Sequence, residues 1–222
     1  LQPKDKRDLL VLWNKKAGAE ESQADAWERA GGTVIVVENG YLQKVDKTYY
    51  AISVHGHNGS GWFPVGGEDR FSKLGFELKP WRSDNAPGYE LVCGQRGIGS
   101  KLMASPPQWA ERCAAELRQK GFVAITRPHS GNFAAKTPLE RDLAGARTCH
   151  IWSSGAGVFA LVEGIPTLHF APRWICAAAS REPALRSLAL NRMAHGQWHH
   201  EEIAAGEPFA RILADLGNAT WP

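Results

Sequence analysis

The chain has 222 residues, 43% hydrophobic and 22% charged, with a net charge of +3. That is enough chain for a real core in one domain or two small ones, and too little positive charge to argue for a nucleic-acid partner on charge alone. Residues 1–86 are balanced, so the whole excess lies in residues 87–222, which suits an anionic ligand such as a nucleotide.

In chain order, Leu9–Trp13 reads as an apolar strand and Asn14–Gly18 as a polar turn. Glu20–Ala30 reads as a helix with acidic residues in its first turn, stopped by Gly31-Gly32. Thr33–Val37 is a β-branched run with the marks of a buried parallel strand, ending in Glu38-Asn39-Gly40. A carboxylate at that strand's C-terminal edge faces the crevice where open α/β sheets bind ligands, so Glu38 is a candidate general base as well as an ordinary turn residue. Tyr49–Val54 predicts another strand, followed by the Gly-rich stretch His55–Trp62. There His55, His57 and Asn58 are candidate acceptor or phosphate contacts, or incidental surface residues.

Pro80–Gly88 is rich in turn formers and marks the expected boundary between a first domain, 1–86, and a second, 87–222. Tyr89–Cys93 predicts a strand, and the Gly94–Lys101 turn after it lacks the P-loop pattern but offers a phosphate or acceptor contact through Arg96 or backbone amides. A helix is expected over Pro106–Lys120 and a strand over Phe122–Thr126, which runs into Arg127-Pro128-His129. Leu139–Ala146 predicts a short helix. The stretch Cys149–Phe170 then reads as strand, small-residue turn (Ser153 to Gly157), helix, Gly164-Ile165-Pro166 turn and strand. Ser153, Ser154, Gly155 and Gly157 stand where unpaired backbone N–H groups suit an anion, or alternatively where Ser153 only caps the helix and the glycines only permit close packing. Two helical stretches, 184–194 and 199–216, form the tail, with an interruption around Gly206-Glu207-Pro208. His195, His199, Glu201 and Glu202 there lack the His-Glu-x-x-His pattern, so no metal site is expected.

The four cysteines, Cys93, Cys113, Cys149 and Cys176, are scattered singly through apolar segments and read as buried thiols of a reduced compartment. No stretch approaches the roughly 20 apolar residues of a membrane span, and no signal-peptide pattern opens the chain. A cytoplasmic location is expected; because the chain starts at Leu1, an upstream targeting segment stays open.

The order Glu38-Asn39-Gly40, Pro128-His129, Ser153-Ser154 resembles the GT-B nucleotide-sugar glycosyltransferases, and within them the bacterial sialyltransferase and Kdo-transferase group, which carry acidic-acidic-Gly, His-Pro and Ser-Ser/Thr motifs. Here the second acidic position is Asn39, the histidine follows its proline, and Phe159 stands where many GT-B enzymes have a ribose-binding Glu. The resemblance implies an α/β fold of two Rossmann-like domains facing a cleft, in a compact version. The first would be the acceptor side, and the second the donor-binding domain with the C-terminal helices. It implies glycosyl transfer from a nucleotide-sugar co-substrate to the hydroxyl of a glycan, a small molecule or modified DNA, with Glu38 as base. His129 would act on the leaving phosphate, and Arg127, Ser153, Ser154, Gly155 and Gly157 would hold the donor. No Asp-x-Asp motif is present, so neither a metal nor another cofactor is expected. A DNA-modifying transferase of viral type and a non-catalytic nucleotide- or sugar-binding protein of the same fold are the alternatives.

Overall fold

The computed structural model describes residues 2–43, 48–83, 85–100, 102–129 and 137–216. The first half holds β1 (Leu9–Trp13), α1 (Ala19–Arg29), β2 (Thr33–Asn39), β3 (Tyr49–Val54) and the single turn α2 (Arg70–Lys73). The second holds β4 (Tyr89–Cys93), α3 (Trp109–Gln119), β5 (Ala124–Arg127), α4 (Leu139–Ala144), β6 (Ala146–Ile151), α5 (Ala156–Val162) and β7 (Thr167–His169). The tail adds α6 (Arg186–His195), β8 (Gln197–His199), α7 (His200–Ala204) and α8 (Glu207–Leu216).

These strands form two four-stranded sheets, ordered β1-β2-β3-β8 and β5-β4-β6-β7, with helices packed against both. Two α/β layers face a cleft, as expected. The second sheet is parallel throughout, each strand returning through a crossover. In the first, β1 and β2 are parallel, but β3 runs antiparallel to β2 and β8 antiparallel to β3. The expected helical tail, interrupted around Gly206-Glu207-Pro208, is the pair α7 and α8; strand β8 ahead of it is unexpected, and the expected boundary at 86/87 puts this tail with the second half. Its strand instead extends the first sheet, and its last helix buries Ile212 and Leu216 against Ile35, Ile52 and Val54.

The β-branched composition of β2 has a direct cause. Val34 and Val36 pack under α1 with Ala24 and Trp27, while Ile35 packs on the opposite face, so both sides of the strand are dry. One apolar cluster runs through both layers, joining Tyr41, Leu42 and Phe71 to Leu91, Ile151, Leu161 and Trp174. The Pro80–Gly88 segment begins as a packed strap: the Lys79 amide donates to the Val162 carbonyl (2.9 Å) and the Arg82 amide to that of Gly164 (2.8 Å). All four cysteines are free and buried, as expected. Among the described residues, no helix is long and apolar enough to cross a membrane.

Candidate functional site

A cavity of about 490 Å³ opens between the two sheets. Its first wall carries Glu38, Asn39, Tyr41, His57 and Asn58; its second carries Gln95, Arg96, Arg127, His129, Ser154 and Phe159. The parallel pairing explains the meeting, because β2, β4, β5 and β6 all present C-terminal ends to the gap.

Glu38 lies half-buried near the end of β2. The Tyr41 hydroxyl donates to its Oε1 (2.5 Å), and the Asn58 backbone N–H donates in turn to the Tyr41 oxygen (2.8 Å). Desolvation by burial pushes the Glu38 carboxyl up to about 7, and the bonds from Tyr41 and the Asn58 backbone pull only partly back. A carboxylate with that affinity for protons suits proton abstraction near neutral pH. Burial, and next the nearby Glu38 charge, raise the Tyr41 hydroxyl well above its ordinary value, so it stays a donor.

On the second wall, His129 follows β5 and Ser153 follows β6, at one edge of one sheet. Strand β4 lies between them, so their strands are two spacings, roughly 10 Å, apart. A ligand reaching both has the size of a nucleotide rather than of a lone phosphate. Burial, then the neighbouring Arg96 charge, lowers the His129 pKa, leaving a neutral imidazole that serves as hydrogen-bond donor or acceptor at neutral pH. Arg96 is exposed at the mouth.

Several expected contacts are occupied otherwise. Arg127 lines the cavity, but its guanidinium pairs with Asp142 and donates to the Thr137 carbonyl (2.8 Å). Ser153 is buried, its amide donating to Gln95 Oε1 and its Oγ accepting from Gln95 Nε2, both at 3.0 Å. Ser154 Oγ accepts the Ala156 amide (3.2 Å), and Gly155 borders the cavity. Gly157 does not line it: a Cβ there would collide with Ile151 Cδ1, so this glycine lets α5 seat on β6. His55 is also outside. Because β3 is antiparallel, it exits at the far end of β2, and the His55 ring bonds Glu28 (2.8 Å) beside α1. The chain then turns back, bringing His57 and Asn58 into the cleft. His57 is buried with Nδ1 unbonded, and burial followed by the Lys15 charge pushes its pKa down to about 4. The Gly94–Gly99 turn borders the cavity, while Lys101 and Ser130-Gly131-Asn132 lie outside the described residues.

Sequence reasoning missed Tyr41, Gln95 and the anchoring of Asn58. Gln95, next to a glycine at the exit of a predicted strand, carried a positional signal; Tyr41 carried none. Among the described residues, His199, His200 and Glu201 each bring one ligand-type atom within 4.8 Å of the others, outside the cavity lining. His195 is buried and bonds the Glu68 carbonyl (3.1 Å).

No family model matches the chain, and no curated protein matches it by sequence. Solved structures do match it in shape, two of them as follows. Thermosulfurimonas dismutans KpsC, beta Kdo 2,7 transferase, aligns with a TM-score of 0.50 at 14% identity, over 85% of this chain and 75% of that one. Thermosulfurimonas dismutans KpsC, beta Kdo 2,4 transferase, aligns with a TM-score of 0.53 at 13% identity, over 88% and 81%. The fold is GT-B-like. The cavity lies between the two facing sheets of this fold, with Glu38 on one wall and His129, Arg96 and the serine turn on the other.

Proposed function

We propose that the protein is a glycosyltransferase that moves a sugar from a nucleotide-sugar to an acceptor hydroxyl without an obligatory metal. One observation carries the reading: a carboxylate with a pKa raised to about 7 faces, across the cavity, the wall that bears His129, Arg96 and the serine turn. Glu38 takes the proton of the acceptor hydroxyl as the bond to the sugar forms. The departing nucleotide phosphate is met by His129 as a hydrogen-bond donor and by the neighbouring Arg96 as a charge, while the Ser154 hydroxyl, about two strand spacings away, holds another part of the nucleotide-sugar. Arg127, held by Asp142, shapes the site more than it adds charge. The KpsC likeness makes a CMP-linked Kdo the first donor to try, with UDP-, GDP- and dTDP-sugars beside it.

The test is transfer or donor hydrolysis across that panel, in unmutated protein and in Glu38→Gln, which keeps the shape and removes the base. Turnover falls roughly 10²–10⁴-fold in the variant while donor affinity stays within a few-fold. Turnover in the unmutated protein rises with pH through about 7, as Glu38 ionises, and EDTA leaves it unchanged. Normal turnover by Glu38→Gln, or activity lost to EDTA and restored by Mg²⁺ or Mn²⁺, sinks the mechanism.

A further inference from the structure

We propose that Asn58 is a positioning residue that fastens the Glu38–Tyr41 pair to the opposite sheet and so fixes where the carboxylate points. The proposal rests on the reading of Glu38 as the base. Asn58 is 5% exposed and sits in the left-handed region at φ 52°. Its backbone amide holds the Tyr41 hydroxyl (2.8 Å), which holds Glu38 (2.5 Å). Its side chain does the opposite job: Nδ2 donates to the Ser153 carbonyl (2.8 Å), and Oδ1 accepts the amides of Gly59 (2.7 Å) and Ile175 (2.9 Å). Ser153 follows β6 and Ile175 follows β7, so one residue joins the loop after β3, and through it the Glu38–Tyr41 pair, to two loops of the second layer.

The residue type follows from this task. Asparagine tolerates the left-handed backbone, and its amide is at once donor and acceptor; aspartate lacks the donor and glycine lacks both. Gln95 braces Ser153 from β4, so the anchor on the far side is itself fixed. Reaction rates respond steeply to placement, with an ångström of error in a reacting group costing on the order of 10²-fold.

The groups that face Glu38 are Tyr41, the Asn58 amide and His57 on its own wall, and Arg96, Arg127 and His129 across the cavity; the Cys176 thiol near Tyr41 is pushed up to about 12 by burial. His57 titrates at about 4 and His129 below its ordinary value, so a titration step near 7 in this cluster belongs to Glu38.

Carboxyl and amide NMR on the full chain tests the proposal. In unmutated protein, the amide shifts of Asn58 and Ile175 follow the Glu38 titration with its midpoint; shifts flat from pH 5 to 9 overturn the coupling. Asn58→Gly keeps the left-handed backbone and the amide to Tyr41 while deleting both cross-sheet bonds. Water then reaches Glu38, its midpoint falls by about one pH unit or more, and the Ile175 amide exchanges about tenfold faster or more. A folded Asn58→Gly with an unmoved Glu38 midpoint overturns the proposal, whatever its melting temperature, since a merely structural residue would change only the latter. If these responses appear but the unmutated protein transfers no sugar, the anchoring stands and the transferase reading falls.

Discussion

Glu38 and His57 share a wall of the cavity and are both desolvated, with opposite consequences for stability. The Glu38 carboxyl is raised from 4.5 to about 7, so the folded chain holds that proton more tightly than the unfolded chain. Its contribution is full below pH 4.5 and is lost as pH rises through about 7, at most about 3 kcal/mol. The His57 imidazole is lowered from 6.5 to about 4, so its contribution is full above 6.5 and is lost as pH falls through 4, of similar size. Between pH 4.5 and 6.5 the two slopes oppose each other and largely cancel. Single variants uncover them: Glu38→Gln stabilises the chain at pH 8 and barely at pH 4.5, while His57→Phe flattens the acid limb below pH 6.5. Urea titrations of the three proteins at pH 4.5, 6.5 and 8 check this. A Glu38→Gln stability gain of equal size at all three pH values would refute the burial account.

At the scale of elements, the Gly164-Ile165-Pro166 turn fixes the join between the layers. Gly164 sits at φ 75°, and a Cβ there would collide with the Pro80 carbonyl oxygen, where the strap from the first half docks. Gly164→Ala therefore pays left-handed strain of about 1 kcal/mol plus the displacement of the strap, and melts several degrees lower. Gly206→Ala, at φ 80° with nothing within 4 Å of a Cβ, isolates the strain alone, so a drop no larger at Gly164 would dismiss the docking contact. That turn was legible in sequence because Gly and Pro punctuate it, and most strands and helices were legible from apolar runs between such breaks. The direction of β3 was not, since an apolar run is the same whether its neighbour lies parallel or antiparallel; His55 was misplaced for that reason. In the cavity, Glu38, His129 and Ser154 were legible as residues that follow buried strands. Tyr41, Gln95 and the anchoring of Asn58 were not, because hydrogen bonds between residues as distant as 58 and 153 leave no local pattern.

At the scale of the whole molecule, the C-terminal tail is part of the first layer. Strand β8 pairs with β3 through Tyr49↔His199 to Ala51↔Gln197, and α8 closes the cluster around Ile35 and Ile52. The fully buried Gln197 side chain reaches the loop after Glu38: its Oε1 accepts the Leu42 amide (3.1 Å) and its Nε2 donates to the Leu42 carbonyl (2.5 Å). Three residues without periodicity gave the sequence no mark of this strand. The first half taken as residues 1–86 thus lacks an edge strand, a helix and both partners of the Leu42 backbone, and we expect it not to fold alone. Gln197→Leu in the full chain keeps the volume but strands two buried backbone groups, costing on the order of 2–4 kcal/mol and loosening the loop that carries Tyr41. Its expected signature is therefore double: a lower urea midpoint, and a Glu38 titration midpoint shifted toward 4.5 as water enters. Adding residues 197–216 as a separate peptide to 1–86 should restore helical and sheet signal in far-UV circular dichroism. A cooperative unfolding transition from 1–86 by itself would show that the tail decorates the first layer without completing it.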